Sequence, residues 1–380
     1  MRLLKRLPGY FLSLLLSLLL NLFLSVFLVG TATALRAETL WDLPSRGAET
    51  SVLQVYGGAD FVAIAPLLEA YQAQYPSVRL QYSEFGTREL YNRFLADLPK
   101  TPDLVMSSAM DLQFKLVNDG YAQAYSSAQT QALPDWARWR NEIFGITYEP
   151  AVMVINSGFL DNETLPSSRA ELIDLIRRKG DQVRGRIGTF DIEKVGIGYL
   201  VWSHDNLRTA SNGRLLESFS LHDARLFSSS AAMLQQLAQG NIVIAYNVLG
   251  SYAHAWARQY PVLSVIKPSD YTTVIMRSAF IPAAAANTTD AKRFLDFMLS
   301  LQGQQVLADQ SSLYPIRDEV SGETSAQGLR LSNNSPLRPI PLGVSLLVQT
   351  DAMKRSLILE EWRRAFGTSP GAEASSGDDQ

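Results

Sequence analysis

The sequence has no cysteine among its 380 residues. This absence excludes disulfides, thiolate metal sites and cysteine nucleophiles, as well as an anchor built on a lipid-modified cysteine. Stability must therefore come from an ordinary hydrophobic core. With 47% hydrophobic residues, the chain has enough apolar material for a globular protein of two lobes.

Histidine is also scarce. The three histidines, His204, His222 and His254, are scattered and lack metal-ligand spacing such as H-E-x-x-H, so we interpret each as an ordinary polar or packing position. There is no P-loop, no G-x-S-x-G and no dinucleotide fingerprint, and we predict no cofactor, no metal site and no catalysis. A secreted hydrolase using Asp191 with His204 or His254 is the alternative, although the sequence does not pair a nucleophile with a base.

The N-terminal segment combines positive charge with a long apolar run. Three basic residues in the first six positions precede the run at 11–29, and small residues follow it. This pattern predicts a secretory signal peptide over residues 1–37, cleaved after Ala34 or Ala37, and hence a periplasmic protein. The length of the apolar run leaves a membrane anchor formed by residues 11–29 as the alternative.

The mature chain is mildly acidic and ends in a polar tail. Removing residues 1–37 takes away four basic residues and no acidic one, which leaves 30 basic and 37 acidic residues. The resulting net charge of −7 argues against a nucleic-acid partner. Residues 367–380 read "GTSPGAEASSGDDQ", for which we predict a disordered tail.

Strand and helix patterns alternate along the first part of the mature chain. The strand patterns are "SVLQVYGG", "VRLQYSEFG" and "PDLVMSSAMD", and the helical ones between them are "DFVAIAPLLEAYQAQYP" and "TRELYNRFLADLP". This order predicts an α/β fold with a parallel sheet. Ligands of such sheets bind where the carboxyl ends of strands meet helix N-termini, so "YGGAD", "SEFGT" and "SSAMD" are candidate binding loops.

A second lobe is predicted from the change of pattern in "FGITYEPAVMVIN", which we interpret as the first crossing between lobes. The strand-like "RIGTFD" and "NIVIAYNV" follow, and the latter leads into "LGSYAHAWAR", whose aromatic residues fit either a ligand site or a buried helix face. The return crossing is expected around residues 268–274. The predicted divisions are 48–147 for the first part of lobe 1, 148–271 for lobe 2, 272–366 for the second part of lobe 1 and 367–380 for the tail.

Five stretches occur in an order and spacing that resemble one protein family. They are "VYGGADFVAIAPLLEAYQAQYP", "PDLVMSSAMD", "LAQGNIVIAYN", "AFIPAAAANTTDAKRFLDFMLSLQGQQVLADQ" and "YPIR". Over residues 48–365 the chain resembles type II periplasmic solute-binding proteins of ABC transporters, in the branch of ferric-ion, sugar-phosphate and phosphoglycerate-system binding proteins. The resemblance implies two lobes, each a mixed sheet flanked by helices, with the ligand cleft between them.

The same resemblance implies a function and partners. A monomer would capture a small solute by hinge closure and present it to an ABC permease in the inner membrane, with signalling to a membrane sensor kinase as the alternative. Ferric-binding relatives place two adjacent tyrosines where this chain has Ser251 and Tyr252, because phenolates are hard ligands suited to ferric iron. Only one of the pair is present, with Tyr246 nearby. We therefore expect an anion such as an organophosphate or carboxylate, and ferric iron is the alternative.

The candidate ligand-binding residues lie on strand-end loops of both lobes. Glycines permit close approach of the backbone, and serines at a helix start present hydroxyl and N–H groups to phosphate or carboxylate. Serine also caps helices, which is the competing interpretation. Arg88 follows the second strand end, either as a source of positive charge or as a solvated helix residue. The expected ligand-binding residues are Gly57, Gly58, Ala59, Asp60, Ser107, Ser108, Ala109, Thr189, Asp191, Tyr246, Asn247, Ser251 and Tyr252.

The signal-peptide prediction has a direct test. We expect the mature protein from secreting cells to begin at Leu35 or Glu38, because signal peptidase cleaves after small residues. Intact-mass spectrometry of the purified chain measures this N-terminus. A chain that keeps residues 11–29 and stays in the membrane fraction would support the anchor.

Overall fold

The computed structural model describes residues 39–161, 163–209, 211–311, 313–332 and 335–367. The predicted signal peptide and the predicted tail beyond Gly367 lie outside these residues. Within the described ranges, no helix is long and apolar enough to cross a membrane.

The strands form two sheets of seven strands each. In chain order they are β1 (Thr39–Leu43), β2 (Ser51–Gly57), β3 (Val78–Glu84), β4 (Leu104–Ser107), β5 (Arg138–Trp139), β6 (Ile143–Gly145), β7 (Glu149–Asn156), β8 (Ile187–Phe190), β9 (Arg225–Phe227), β10 (Ile244–Leu249), β11 (Leu263–Ile266), β12 (Thr272–Ile275), β13 (Ser278–Phe280) and β14 (Leu337–Pro339). The first sheet has the order β1-β3-β2-β4-β13-β6-β5. The second has the order β14-β12-β7-β10-β8-β9, with β11 paired to β7.

Strand direction follows from the alternation of strands and helices. β2 is parallel to both β3 and β4, because a helix connects each consecutive pair of these strands. β13 returns to this sheet antiparallel to β4, and β10 is antiparallel to β7 but parallel to β8. Each sheet is therefore mixed, which confirms the predicted fold class.

Helices flank both sheets, and their ends have local causes. Ser168 caps the helix Arg169–Lys179 by accepting from the N–H of Glu171, and Gly240 adopts φ +75° just after the helix Ser230–Ala238. In chain order the α-helices are α1 (Phe61–Gln74), α2 (Thr87–Ala96), α3 (Met110–Asn118), α4 (Ala128–Gln131), α5 (Arg169–Lys179), α6 (Gly196–Arg208), α7 (Ser211–Leu221), α8 (Ser230–Ala238), α9 (Gly250–Gln259), α10 (Thr288–Leu299), α11 (Leu301–Val306), α12 (Ala326–Leu331), α13 (Leu347–Thr350) and α14 (Ala352–Phe366).

Two short extended segments carry the chain from the first sheet to the second and back, and a longer third crossing lies between β13 and β14. The first runs from β6 to β7 through residues 146–148, and the second runs from β12 to β13 through residues 276–277. The N–H of Ile146 donates to the carbonyl of Arg277 at 2.7 Å, and the N–H of Arg277 donates to Oγ1 of Thr147 at 2.9 Å. The two passages are thus hydrogen-bonded to each other. Any rotation of one lobe against the other must bend both.

Residues 337–366, here called the C-terminal strap, contact both lobes. β14 pairs with β12 in the second sheet, after which the N–H of Leu342 donates to the carbonyl of Trp136 in the first lobe at 2.8 Å. α13 lies against α3, and α14 then returns to the second lobe, where Trp362 packs edge-on against Trp202 at 5.0 Å. The sequence analysis places residues 272–366 with lobe 1. Apolar periodicity indicates which face of α14 is buried, but not which lobe covers it.

Candidate functional site

The two lobes meet where β2 of the first sheet and β10 of the second sheet end. α9 begins directly after β10 and presents Tyr252 in its first turn. The hydroxyl of Tyr252 accepts from the backbone N–H of Asp60, in the loop after β2, at 3.2 Å. Burial raises the pKa of the Tyr252 phenol, as does Asp60, whereas Arg277 lowers it. The phenol is therefore neutral near pH 7.

The loop after β2 is built around Tyr82 of β3. Its hydroxyl donates to the carbonyl of Ala59 at 2.6 Å and accepts from the N–H of the same residue at 3.3 Å. A Cβ atom on Gly57 would lie 2.0 Å from this hydroxyl, so the position requires glycine. At Gly58 a Cβ would approach Oγ of Ser107 to 3.0 Å. Tyr82, which the sequence analysis did not select, thus shapes the first candidate loop.

The serine loop after β4 faces the second lobe at the N-terminus of α3. Ser107, Ser108 and Ala109 are all buried, and Oγ of Ser107 accepts from the N–H of Ala109 at 3.2 Å. Gly196, at the start of α6, lies so close that a Cβ there would be 3.0 Å from that of Ala109. Ser107 thus stabilises a turn within its own loop, at a point where the two lobes touch.

A buried charged pair lies in the passages between the lobes. Nε of Arg277 donates to Oε1 of Glu149 at 3.3 Å, and Nη1 donates to the carbonyl of Gly58 at 3.3 Å. The guanidinium also lies 5.6 Å from the ring centre of Tyr252. Burial opposes the charge of Arg277, but Tyr252 and Glu149 outweigh it and raise the pKa of this side chain.

Both members of this pair keep a buried polar atom without a hydrogen-bond partner among the described residues, namely Nη2 of Arg277 and Oε2 of Glu149. The same holds for Oγ of Ser251, in the first turn of α9, and for Oγ of Ser278, the residue after Arg277. A buried donor or acceptor without a partner costs about 1–3 kcal/mol, so such atoms indicate a place where a ligand or water supplies the partner. Arg277 and Glu149 were missed by the sequence analysis, although each is the only charged residue within its apolar crossing stretch, "TTVIMRSAFIP" or "FGITYEPAVMVIN".

A groove of about 540 Å³ opens beside Tyr252, between α1 and α9. Asp60 lies on one wall, while Ser251, Tyr252 and Trp256 lie on the other. The ring of Trp256 stacks on that of Tyr260 at 5.4 Å. The aromatic residues of "LGSYAHAWAR" therefore divide between an interlobe contact and the wall of an open groove.

Tyr246 and Asn247 face a buried network inside the second lobe. The hydroxyl of Tyr246 accepts from Nε of Arg169 at 2.8 Å, and the amide of Asn247 donates to Asp205 at 3.2 Å. Asp205 also accepts from the hydroxyl of Tyr271 at 2.9 Å. A bulge in β10 produces this placement: Asn247 has φ +62°, and the register against β7 shifts there.

The remaining second-lobe candidates lie at the end of β8. Thr189 is buried within that strand. Asp191 accepts from the N–H of Glu193 at 3.1 Å and pairs with Lys194 at 3.1 Å. The carboxylate of Asp191 is thus engaged in its own turn.

The histidines named for the hydrolase alternative have other partners. His204 accepts from Nε of Arg208 at 2.9 Å, and burial followed by Arg208 lowers its pKa to about 4. Nδ1 of His254 lies 2.9 Å from the carbonyl of Gly250 and 2.5 Å from the hydroxyl of Tyr314. The pairing with Asp191 that a hydrolase would use is not among these contacts.

Two α/β lobes joined by paired passages, with unpartnered polar atoms buried between them, define a two-lobed binding protein. Residues 99–340 match the family model of bacterial extracellular solute-binding proteins, and the chain belongs to this family. This membership and the two-lobed fold confirm the family and the fold class that the sequence resemblance implies. Searching curated proteins gives no match.

Solved structures support the same assignment. The substrate-binding protein of an ABC transporter from Agrobacterium tumefaciens is 35% identical, covers 87% of this chain and 98% of its own, and superposes with a TM-score of 0.83. Fructose-6-phosphate-bound AfuA from Actinobacillus pleuropneumoniae is 15% identical over 84% of this chain and 100% of its own, with a TM-score of 0.70. Iron-bound HitA from Pseudomonas aeruginosa is 16% identical over 83% and 99%, with a TM-score of 0.66. The latter two share the fold.

The buried pair between the passages gives a stability prediction. We expect Glu149→Gln to lower the free energy of unfolding by about 3 kcal/mol or more, because Arg277 would remain as an uncompensated buried charge. The matched control is Asp181→Asn, which removes an exposed pair with Arg184 and should cost less than about 1 kcal/mol. Urea unfolding at neutral pH measures both. Equal midpoints for the two variants would contradict a structural role for Glu149.

Proposed function

We propose that this protein captures a small anionic solute, an organophosphate or a carboxylate, by hinge closure and presents it to the permease of an ABC importer. The observation that carries the proposal is the buried guanidinium of Arg277 between the lobes, with Nη2 unpartnered. The hydroxyls of Ser251, next to Tyr252 in α9, and of Ser278, next to Arg277 in the chain, are also buried and unpartnered. Such a donor set matches an acceptor-rich group such as phosphate or carboxylate.

The unpartnered acceptor atom of Glu149 narrows the chemical class of the proposed solute. Oε2 of Glu149 is buried and unpartnered, and an ionised carboxylate can only accept hydrogen bonds. A solute with hydroxyl groups beside its acidic group would satisfy both Glu149 and Arg277. Sugar phosphates and phosphorylated hydroxy acids have this combination, and the fold shared with a fructose-6-phosphate-bound protein is consistent with it.

Closure would form the cage from both lobes. The loop at Gly58 belongs to the first lobe, and the guanidinium of Arg277 belongs to the passage. Ser251 and Tyr252 belong to the second lobe. A solute that contacts all of them binds the closed form better and shifts the population towards it. The permease then distinguishes closed from open protein. The name of the Agrobacterium tumefaciens protein supports an ABC transporter as the partner.

The proposal includes export through residues 1–37, a monomeric state and no catalysis. Signalling to a sensor kinase would use the same difference between open and closed forms. Ferric iron is the second candidate solute, favoured by the likeness to iron-bound HitA. It is weakened because Tyr246 is engaged by Arg169 in the second lobe, which leaves Tyr252 without that partner phenolate.

A thermal-shift panel tests the solute class. We would heat the mature protein with ferric citrate, inorganic phosphate, phosphoglycerates, hexose phosphates, and di- and tricarboxylates. A ligand at about 1,000 times its Kd stabilises the folded form by about 4 kcal/mol, which should raise Tm by roughly 5 °C or more. We expect this shift with an organophosphate or carboxylate. A shift with ferric citrate alone would favour iron, and no shift with any compound would favour a protein partner.

Tyr252 separates a ligand role from a packing role. We expect Tyr252→Phe to weaken binding of the panel solute about fivefold through loss of one hydrogen bond, with Tm of the free protein nearly unchanged. Tyr260→Phe, at the end of the same helix, is the matched control because this side chain is 41% exposed. Calorimetric titration gives both affinities. A large fall in Tm with intact affinity would make Tyr252 a packing residue.

A further inference from the structure

A second set of charged side chains lies at the contact between the lobes. Arg88 belongs to α2 and Asp111 to α3, both in the first lobe, while Tyr199 belongs to α6 in the second lobe and Arg355 to the C-terminal strap. We call these four residues the interlobe cluster. None of them takes part in the hydrogen bonds around Arg277.

The backbone around the interlobe cluster is held in place by close contacts. The N–H of Ile197 donates to Oγ1 of Thr87 at 3.1 Å, and Gly196 packs against Ala109. The N-terminal turns of α2, α3 and α6 therefore converge, and each contributes one member of the cluster. Helix N-termini carry partial positive charge, which adds to that of the two arginines.

The arginines of the cluster have no acidic partner of their own. Among the described residues, neither Arg88 nor Arg355 forms an ion pair within 4.0 Å, and Nε of Arg88 is buried without a hydrogen-bond partner. The guanidinium of Arg355 lies 4.1 Å from the ring centre of Tyr199. Burial lowers the pKa of both arginines. The nearby charge of Asp111 raises the pKa of each and so offsets part of the effect of burial.

The carboxyl of Asp111 is buried and only partly satisfied. The residue is 1% exposed, and Oδ1 has no hydrogen-bond partner. Burial raises its pKa to about 6, against the opposing effects of Arg355 and Arg88. The titratable or charged groups facing it are Arg88 from α2, Tyr199 from α6 and Arg355 from α14, while residues 344–350 contribute none and Tyr91 of α2 acts on Arg88. Glu193, near Arg355, is paired with Arg363 at 2.7 Å.

We propose that the interlobe cluster is an oxyanion subsite, in which Arg88 and Arg355 bind a carboxylate, phosphate or sulfate group beside the buried carboxyl of Asp111. Two desolvated guanidinium groups that have only this one carboxyl near them repel each other, and a bound oxyanion relieves that repulsion. The oxyanion comes either from the solute, as a second acidic group, or from free anions. The first source rests on the proposed function, and the second does not.

Binding at this subsite is linked to protonation. A bound anion beside Asp111 favours the protonated carboxyl and raises its pKa further, so binding takes up a proton. Affinity is therefore highest below pH 6, where Asp111 is already protonated, and falls as the pH rises above that value. An anion bound by fixed charges alone would not show this dependence.

Sulfate is the probe, because it stays fully ionised between pH 5 and pH 8. We would titrate it calorimetrically, at constant ionic strength and at pH 5.5 and 7.5, into the wild type, Arg88→Gln, Arg355→Gln, Asp111→Asn and the control Arg364→Gln. Arg364 lies on the same helix, with its side chain 73% exposed. We expect Arg88→Gln and Arg355→Gln to weaken binding about tenfold and Arg364→Gln to leave it unchanged. We expect the wild type, but not Asp111→Asn, to bind more weakly at pH 7.5.

Equal affinity of the wild type and both arginine variants would overturn the inference, as would an unchanged pH dependence in Asp111→Asn or no sulfate binding by the wild type. Should Arg355→Gln not fold, Arg355→Lys retains the charge but loses the fork geometry, and weaker binding is again expected. Competition between sulfate and the panel solute would identify the subsite as part of solute recognition, and simultaneous binding would identify it as a free-anion site. Because sulfate binding needs no panel solute, failure of the proposed function and failure of the subsite are separate results.

Discussion

The interlobe geometry depends on one buried ion pair. Arg277 lies in the return passage and Glu149 at the start of β7, and their side chains are 1% and 0% exposed. Two charges are tolerated at this depth because they face each other and because the carbonyl of Gly58 accepts from Nη1 of the guanidinium. Since Arg277 lies in one passage and Glu149 directly follows the other, the pair joins two segments that lobe rotation must bend. The ion pair that stabilises the passages is therefore also part of the candidate binding site.

Two buried polar networks among the residues that the structure describes differ in how completely they are satisfied. Asp205 accepts from Arg169, Tyr271 and Asn247 within the second lobe, as a structural network should. Around Arg277, by contrast, donors and acceptors remain without partners. A fold retains such atoms where something other than its own chain completes them. This difference in satisfaction, more than residue type, separates the structural network from the candidate binding site.

Sequence patterns predicted the fold better than they predicted side-chain direction. The parallel order of β2, β3 and β4 follows from local periodicity and from the helices between them, which are properties of consecutive residues. Tyr246 and Tyr252 are six positions apart and chemically alike, yet a bulge at Asn247 sends Tyr246 into the second-lobe network while Tyr252 faces the first lobe. That bulge depends on the pairing of β10 with β7, which no local pattern contains.

The partner of Arg277 and the position of the C-terminal strap could not be predicted from the sequence for a different reason, which is that both depend on contacts between distant parts of the chain. A single arginine in an apolar stretch signals a buried charge, but its partner, Glu149, is more than a hundred residues away in the chain. The apolar face of α14 likewise fits any complementary surface. Only the fold selects the second lobe for Trp362 and brings Arg355 near Arg88 and Asp111.

Two of the hydrogen bonds between the lobes make only a small contribution to closure. The hydrogen bonds Tyr252–Asp60 and Thr87–Ile197 contribute about 1 kcal/mol each, which together shift the ratio of closed to open forms roughly thirtyfold. A solute that binds only the closed form stabilises it by about 2.7 kcal/mol at a free concentration of about 100 times its Kd, which exceeds the contribution of these two bonds. Arg277 lies in the passage, whereas Ser251 and Tyr252 belong to the second lobe. Under the proposed function, a solute that contacts Arg277 and the second lobe together therefore favours the closed form, whereas one that contacts Arg277 alone does not shift the balance.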